Sequence, residues 1–280
     1  MVIETWPSAP PKPWNEAMAN SAFKAQVIQY VVDHLIPLLK LRCAELIIDW
    51  NGDSYLHVTY IDKDERWVEV VPRTVWLGEA DVKFRHWATL LERSMAVLSI
   101  DGDYVPIAMG IENIPIQIFR HSWIDISKLK LRSLSYQQLV LLIALTGTDF
   151  SRQLPFLKPK QIYSHVHGLK RELNMICDDP GNMELGIRLV AALYWHKFHK
   201  YSSHKYDYAM FRNSVIRSSL AKSTKEKLPS LERVCCTLRN SAFVYKYWTN
   251  PILVTNSNTT WTDYGFTEND EGLTTWLETI

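Results

Sequence analysis

Six carboxylates stand where predicted strands or helices begin or end, and such side chains can hold divalent cations. They are Asp49, Glu79, Asp81, Asp101, Asp103 and Asp149. Mg²⁺ and Mn²⁺ take oxygen ligands, and each ion uses few protein carboxylates. Two such ions about 4 Å apart can activate a water and stabilise both oxygens of a phosphodiester displacement. If the six side chains converge, they support metal-dependent hydrolysis of a phosphodiester.

Each of these carboxylates also has an ordinary structural explanation. Glu79 and Asp81 open a predicted helix, where the helix dipole favours negative charge. The stretch Asp101-Gly-Asp103 is typical of a turn, and Asp149 suits a cap after a helix. The metal-site interpretation depends on the six together, because crowded carboxylates need cations to neutralise them. The sequence contains no GxSxG, P-loop or GxGxxG motif that would indicate other chemistry.

Helices and buried strands alternate in the first half of the chain, and they are expected to position these residues. Apolar spacing predicts helices over 22–41 and 79–94. The runs AELII and MAVLSI are typical of buried strands, and residues 54–71 alternate like a β-hairpin. This order predicts an α/β fold with a mostly parallel sheet flanked by helices. In such a sheet, functional groups gather at the carboxyl ends of the strands.

Residues after the second predicted strand continue the pattern and then become mainly helical. Short extended pieces are predicted over 104–111 and 114–121, and Ser135 is a plausible N-cap of an apolar helix. Further helices are predicted over about 158–173, 183–200, 206–221 and 229–248, and the tail lacks clear periodicity. We divide the chain into four regions: an extended Pro-rich arm over 1–21, an α/β core over 22–150, a basic helical region over 151–228, and a C-terminal helix with an acidic tail over 229–280.

Charge is unevenly distributed along the chain. Residues 151–228 contain 14 Lys and Arg against six Asp and Glu, and no Lys or Arg follows Lys246. The basic region favours a face that meets phosphates, although an ordinary solvated helical surface has the same composition. The chain has four cysteines without a CxxC pair, and it has neither a secretory signal nor an apolar run of the ~20 residues that a membrane span needs. These features predict an intracellular protein, nuclear or cytoplasmic, without a membrane partner.

Three motifs in order resemble those of the flap endonuclease/XPG superfamily, whose catalytic core is a PIN-like α/β fold. The motifs are LIIDWNG, GEADVKFRHWATLLERSMAVLSIDGD and LLIALTGTDF, within a span of about 22–165. In that family a strand ends in Asp-Gly, a helix begins with Glu-Ala-Glu, and a strand precedes Asp-x-Asp. A later helix ends in Gly-x-Asp-Tyr before a helix-hairpin-helix element that binds DNA.

The resemblance implies a nuclease that hydrolyses DNA or RNA with two Mg²⁺ or Mn²⁺ ions. It assigns Asp49, Glu79 and Asp81 to a first ion and Asp101, Asp103 and Asp149 to a second, with Asp81 bridging the two. It also indicates nucleic-acid contacts for basic residues early in the Glu79 helix and in the Lys-Pro-Lys stretch. These basic residues are Lys83, Arg85, Lys158 and Lys160.

Three departures from the family pattern keep a second hypothesis open. No acidic strand precedes the 22–41 helix, and about 30 hairpin-like residues replace the family's helical arch between Asp49 and Glu79. The segment LPFLKPKQIYSHV lacks the hairpin glycines. The hypotheses are therefore a nuclease without an arch, or a catalytically inactive PIN-like module that binds nucleic acid or serves in assembly. In either case a protein partner could supply or replace the missing first strand.

Overall fold

The chain divides into two compact units, Met1–Lys83 and Phe84–Ile280, and each is described by itself. The computed structural model describes isolated positions between 23 and 34 and then residues 45–49, 54–60, 66–72, 80–99, 101–129, 134–148, 151, 153–250, 261–264, 266–269 and 272–275. The predicted arm over 1–21 lies outside these residues. The described positions between 23 and 34 are helical, as the apolar spacing predicts.

The first unit contains a three-stranded antiparallel sheet in the order β1-β2-β3. β1 spans Glu45–Ile48, β2 spans Ser54–Tyr60 and β3 spans Arg66–Pro72. The predicted strand and hairpin are therefore confirmed. Val58 of β2 is fully buried, which follows from the alternation of side chains between the two faces of a strand.

The second unit begins within helix α1 and continues with a second three-stranded sheet. α1 spans Ala80–Leu91 and ends three residues earlier than predicted. In the sheet that follows, β4 pairs parallel with β5 and β5 pairs antiparallel with β6. The strands span Met95–Leu98, Ile116–Phe119 and Trp123–Asp125.

Helix α2, which spans Tyr104–Met109, connects the two parallel strands. The prediction of an extended piece over 104–111 is therefore wrong. Pro106 lies in the first turn of α2, where the missing N–H breaks no helical hydrogen bond. Burial of Pro106, Ile107 and Ala108 favours the helix over the extended form that these residue types suggest.

The mixed α/β fold is confirmed, but a mostly parallel sheet is not. Among the described strands, β4 and β5 form the parallel pair, and the other pairs are antiparallel. β1 pairs with the adjacent hairpin instead of with β4. A short connection permits the antiparallel pairing of neighbouring strands, whereas an apolar run in a sequence carries no strand direction.

The helical region after residue 150 agrees with the prediction. Together with the apolar helix that precedes it, the helices are α3 (Tyr136–Thr146), α4 (Pro159–His165), α5 (Lys170–Asp178), α6 (Met183–Phe198), α7 (Tyr208–Arg217), α8 (Lys222–Lys225) and α9 (Leu231–Thr249). Short 3₁₀ segments follow α4 and α6, at Val166–Leu169 and His199–Tyr201. Among the helices that the structure describes, none is both long enough and apolar enough to cross a bilayer.

Packing of α3 against α9 forms the centre of the second unit. Leu142 and Leu145 of α3 and Phe243 and Trp248 of α9 are almost completely buried. The Ser241 hydroxyl of α9 donates to the carbonyl of Ala144 in α3 at 3.1 Å, which satisfies a polar group inside this interface.

The C-terminal segment packs onto α9 and contains structure that the sequence pattern did not predict. A 3₁₀ turn at Trp261–Tyr264 precedes the antiparallel strands β7 (Phe266–Asn269) and β8 (Gly272–Thr275). The Asn240 amide donates to the Tyr264 carbonyl at 2.8 Å. The Phe243 ring lies 5.5 Å from the Tyr264 ring and 5.2 Å from the Phe266 ring, between ring centroids.

We predict that Ser135→Ala lowers the free energy of unfolding by about 1 kcal/mol, because it removes the cap of α3. The Ser135 hydroxyl accepts from the Gln138 N–H at 3.1 Å, and the Gln138 side chain accepts from the Ser135 N–H at 2.9 Å. Urea denaturation measures the loss. Ser203→Ala, at an exposed position, serves as the control, and equal stability of the two variants would contradict the capping role.

Candidate functional site

The Asp101-Gly102-Asp103 turn leads from β4 into α2. The Asp101 carboxylate accepts from the Asp103 N–H at 3.0 Å, and the Asp101 N–H donates to the Ser99 hydroxyl at 3.1 Å. Asp103 occupies the N-cap position of α2, but its side chain does not cap the helix. These bonds agree with the turn explanation for Asp101, whose carboxylate uses one of its two oxygens in the turn.

Arg120 places a guanidinium against this acidic turn. It directly follows β5, and the Ser99 N–H donates to the Phe119 carbonyl at 3.1 Å, so the pairing continues to the carboxyl ends of both strands. A Cβ added to Gly102 would lie 3.7 Å from both terminal nitrogens of Arg120. Sequence reasoning missed Arg120, although its position after the next buried strand was a usable signal.

Asp49 and Lys83 form a buried ion pair in the first unit. The Lys83 ammonium lies 3.2 Å from an Asp49 oxygen, and the two side chains are 7% and 8% exposed. The contact joins the end of β1 to the first turn of α1. Lys83 was predicted to contact phosphate, and its ammonium here neutralises a predicted metal ligand. Burial of a charge is costly, and here each charge compensates the other. Removal of either one would leave the other buried without compensation.

The remaining predicted ligands lie where the structure gives no side-chain geometry. Glu79 and Asp149 are outside the described residues, as is the side chain of Asp81, whose backbone belongs to α1. Among the side chains that the structure describes, no three of His, Cys, Asp and Glu lie close enough together to hold a metal ion. The structure thus brings together Asp101 and Asp103 of the predicted set.

Arg85 has structural hydrogen bonds in the second unit. Its guanidinium donates to the Trp248 carbonyl at 2.9 Å and to the Tyr136 hydroxyl at 3.2 Å. Burial raises the pKa of Tyr136, and the Arg85 charge opposes that rise. These bonds connect α1 to the start of α3 and the end of α9. A phosphate contact, as predicted for Arg85, would compete with them.

Lys158 and Lys160 lie at the start of α4. Lys158 is exposed at the N-cap position, and Pro159 is the first helical residue. Lys160 follows within the helix, and its side chain is outside the described residues. An exposed ammonium at Lys158 fits the predicted contact with a backbone phosphate.

The end of α4 contacts α6 through two stacked imidazoles. The His165 and His196 rings are 4.4 Å apart between centroids and 6° from parallel. Burial lowers the pKa of His196 below its usual value of 6.5, and the charges of His165, Lys205 and His199 lower it further. His196 is therefore held neutral by its surroundings at pH 7.

Comparison of the chain with protein-family models, with curated proteins and with solved structures finds no match. The resemblance to the flap endonuclease superfamily therefore depends on the sequence motifs alone.

We predict that Lys83→Met destabilises the protein by about 3–5 kcal/mol, because the Asp49 charge is then buried without a partner. The double variant Asp49→Asn/Lys83→Met should recover most of the loss. Lys128→Met is the matched control, since Lys128 is 81% exposed and pairs with Asp125 at 3.0 Å. Denaturation experiments on Asp49→Asn, Lys83→Met and the double variant measure the coupling. If the losses of the two single variants simply add in the double variant, a direct Asp49–Lys83 interaction is contradicted.

We also predict that acidification weakens the fold through His196. His196 binds a proton less readily in the folded protein than in the unfolded chain, because its pKa is lowered on folding. The contribution of neutral His196 to the stability of the fold is therefore present above about pH 6.5 and is lost as the pH falls below that value. Denaturation at pH 7.5 and pH 5 measures the change. His196→Phe should reduce the pH dependence, whereas His121→Phe, at an exposed position, should not.

Proposed function

We propose that this chain is a divalent-metal-dependent nuclease with a PIN-like core that hydrolyses nucleic-acid phosphodiester bonds by a two-metal-ion mechanism. The observation that carries the proposal is the grouping of Asp101, Asp103 and Arg120 at the carboxyl edge of the parallel strands β4 and β5. Ligands of open α/β sheets bind at this edge. The order of the three acidic sequence motifs supports the same proposal.

The residues at this edge suit a hard cation and a phosphate. Two carboxylates match the oxygen ligands that Mg²⁺ or Mn²⁺ takes from proteins. When bound, the cation supplies Lewis-acid activation and a water of lowered pKa. Asp101 and Asp103 would hold it, and the Arg120 guanidinium would orient the scissile phosphate and stabilise the charge that develops on its oxygens. In the hydrolysis, the water oxygen would bond to phosphorus as the bond from phosphorus to the sugar oxygen breaks, and the proton that the water loses would pass to solvent, which protonates the leaving oxygen.

The second candidate function is an inactive PIN-like module that binds nucleic acid or serves in assembly. The buried Lys83–Asp49 ion pair favours it, because the ammonium of the protein already neutralises one predicted metal ligand. β4 is an edge strand among the described strands, which supports the proposal that a protein partner adds a further strand there. The two functions differ in whether the Asp101 carboxylate is needed for a chemical step.

The test is cleavage of branched and single-stranded DNA and RNA with Mg²⁺ or Mn²⁺. We predict that Asp101→Asn and Arg120→Gln each lower the rate by about 100-fold, the first through the metal and the second through the phosphate. Asp178→Asn, at an exposed position on α5, should keep the wild-type rate. Equal activity of wild type and Asp101→Asn on every substrate would exclude catalysis at this edge. Binding without cleavage by wild type would favour the inactive module.

A further inference from the structure

Cationic and aromatic side chains alternate along one band of α4, α6 and the loop that follows α6. We call this band the cation–aromatic ladder. Its members are Arg188, Tyr206, Lys205, Trp195, His199, His196 and His165. All seven belong to the second unit and lie outside the acidic turn.

The loop end of the ladder holds two cations against aromatic rings. The Arg188 guanidinium carbon lies 5.7 Å from the Tyr206 ring centroid, and the Lys205 ammonium lies 4.9 Å from the same ring. Lys205 also lies 5.7 Å from the Trp195 ring. The Trp195 indole donates to the Ser202 carbonyl at 2.9 Å, which fixes the loop on α6. A cation–π contact positions a cation without occupying all its N–H donors.

The histidine end continues the band towards α4. The Trp195 ring lies 5.6 Å from His199 and 5.5 Å from His196, which stacks on His165. The groups that face His196 from α4, the 3₁₀ turn and the loop are His165, His199 and Lys205, and no carboxylate is among them. The ladder is therefore positive or neutral along its length.

Among the side chains that the structure describes within residues 153–250, none forms an ion pair with a ladder cation. Two carboxylates border the groove at the loop end, Glu184 and Asp207. Asp207 accepts from the Met210 N–H at 2.9 Å as the cap of α7, and Glu184 lies in the first turn of α6, where the helix dipole favours it. The positive charges of Arg188 and Lys205 are thus left for an external anion.

We propose that the ladder binds single-stranded nucleic acid. Arg188 and Lys205 contact successive backbone phosphates, and Tyr206, which is 37% exposed beside an open groove of about 600 Å³, offers a face on which a base stacks. Base faces are free in a single strand and covered in a duplex, so aromatic rings interleaved with cations select the single strand. This inference rests on the proposed function for the class of ligand, and it assigns the binding to residues outside the proposed metal centre.

The test is fluorescence anisotropy of a labelled 20-nucleotide single strand and of a blunt duplex of equal length, in EDTA. Wild type should bind the single strand at least tenfold more tightly. Arg188→Gln/Lys205→Gln should lose about tenfold or more and reduce the slope of log affinity against log salt by about 1.4, since two phosphate contacts are removed. Tyr206→Leu should lose at least about fivefold in affinity.

The matched control is Arg217→Gln/Lys222→Gln, which removes the same charges at exposed positions outside the ladder. It should bind like wild type, and thermal unfolding checks that all variants are folded. Unchanged affinity of the ladder variant, equal loss in the control, or equal binding of duplex would each overturn the inference. Because EDTA removes the metal, this assay measures binding alone; binding in EDTA with no cleavage after Mg²⁺ or Mn²⁺ is added would contradict the nuclease alone. Cleavage with unaltered binding by the ladder variant would contradict the ladder alone.

Discussion

Parallel pairing of β4 with β5 is the constraint on which the candidate site depends. Parallel strands require a crossover, and α2 provides it by burying Pro106, Ile107 and Ala108. The pairing brings the ends of both strands to one edge, so the acidic turn after β4 meets Arg120 after β5. An antiparallel pair would have placed these two charges at opposite edges. The proposed chemistry therefore follows from a strand direction more than from any single residue.

The two described groups of predicted ligands differ in how their charge is compensated. Asp49 lies against the Lys83 ammonium, and both side chains are almost fully buried, so the fold itself depends on their charges. Asp101 is exposed, Asp103 and Arg120 are half-buried, and the Asp101 carboxylate uses one oxygen in the turn. The first group is suited to hold structure together. The second is suited to exchange water for a cation or a phosphate, which is why we place the proposed chemistry there.

Local patterns predicted much of the fold and little of the site. The hairpin over 54–71 and the cap at Ser135 were predictable, because strand alternation and capping are properties of adjacent residues. Helix α2 was not, since its residue types favour strands and burial decides otherwise. Strand direction and the position of Arg120 beside Gly102 depend on residues distant in sequence, and no local pattern encodes them.

The central claim is that Asp101 and Asp103 hold a divalent cation. Titration of Mn²⁺ into the full chain, followed by the loss of the electron paramagnetic resonance signal of the free ion, tests it most directly. The account predicts binding by wild type below millimolar Mn²⁺ and at least a tenfold weaker affinity in Asp101→Asn/Asp103→Asn, with unaltered thermal unfolding. Equal Mn²⁺ binding by the wild type and the double variant, or no binding by wild type at millimolar concentration, would contradict it.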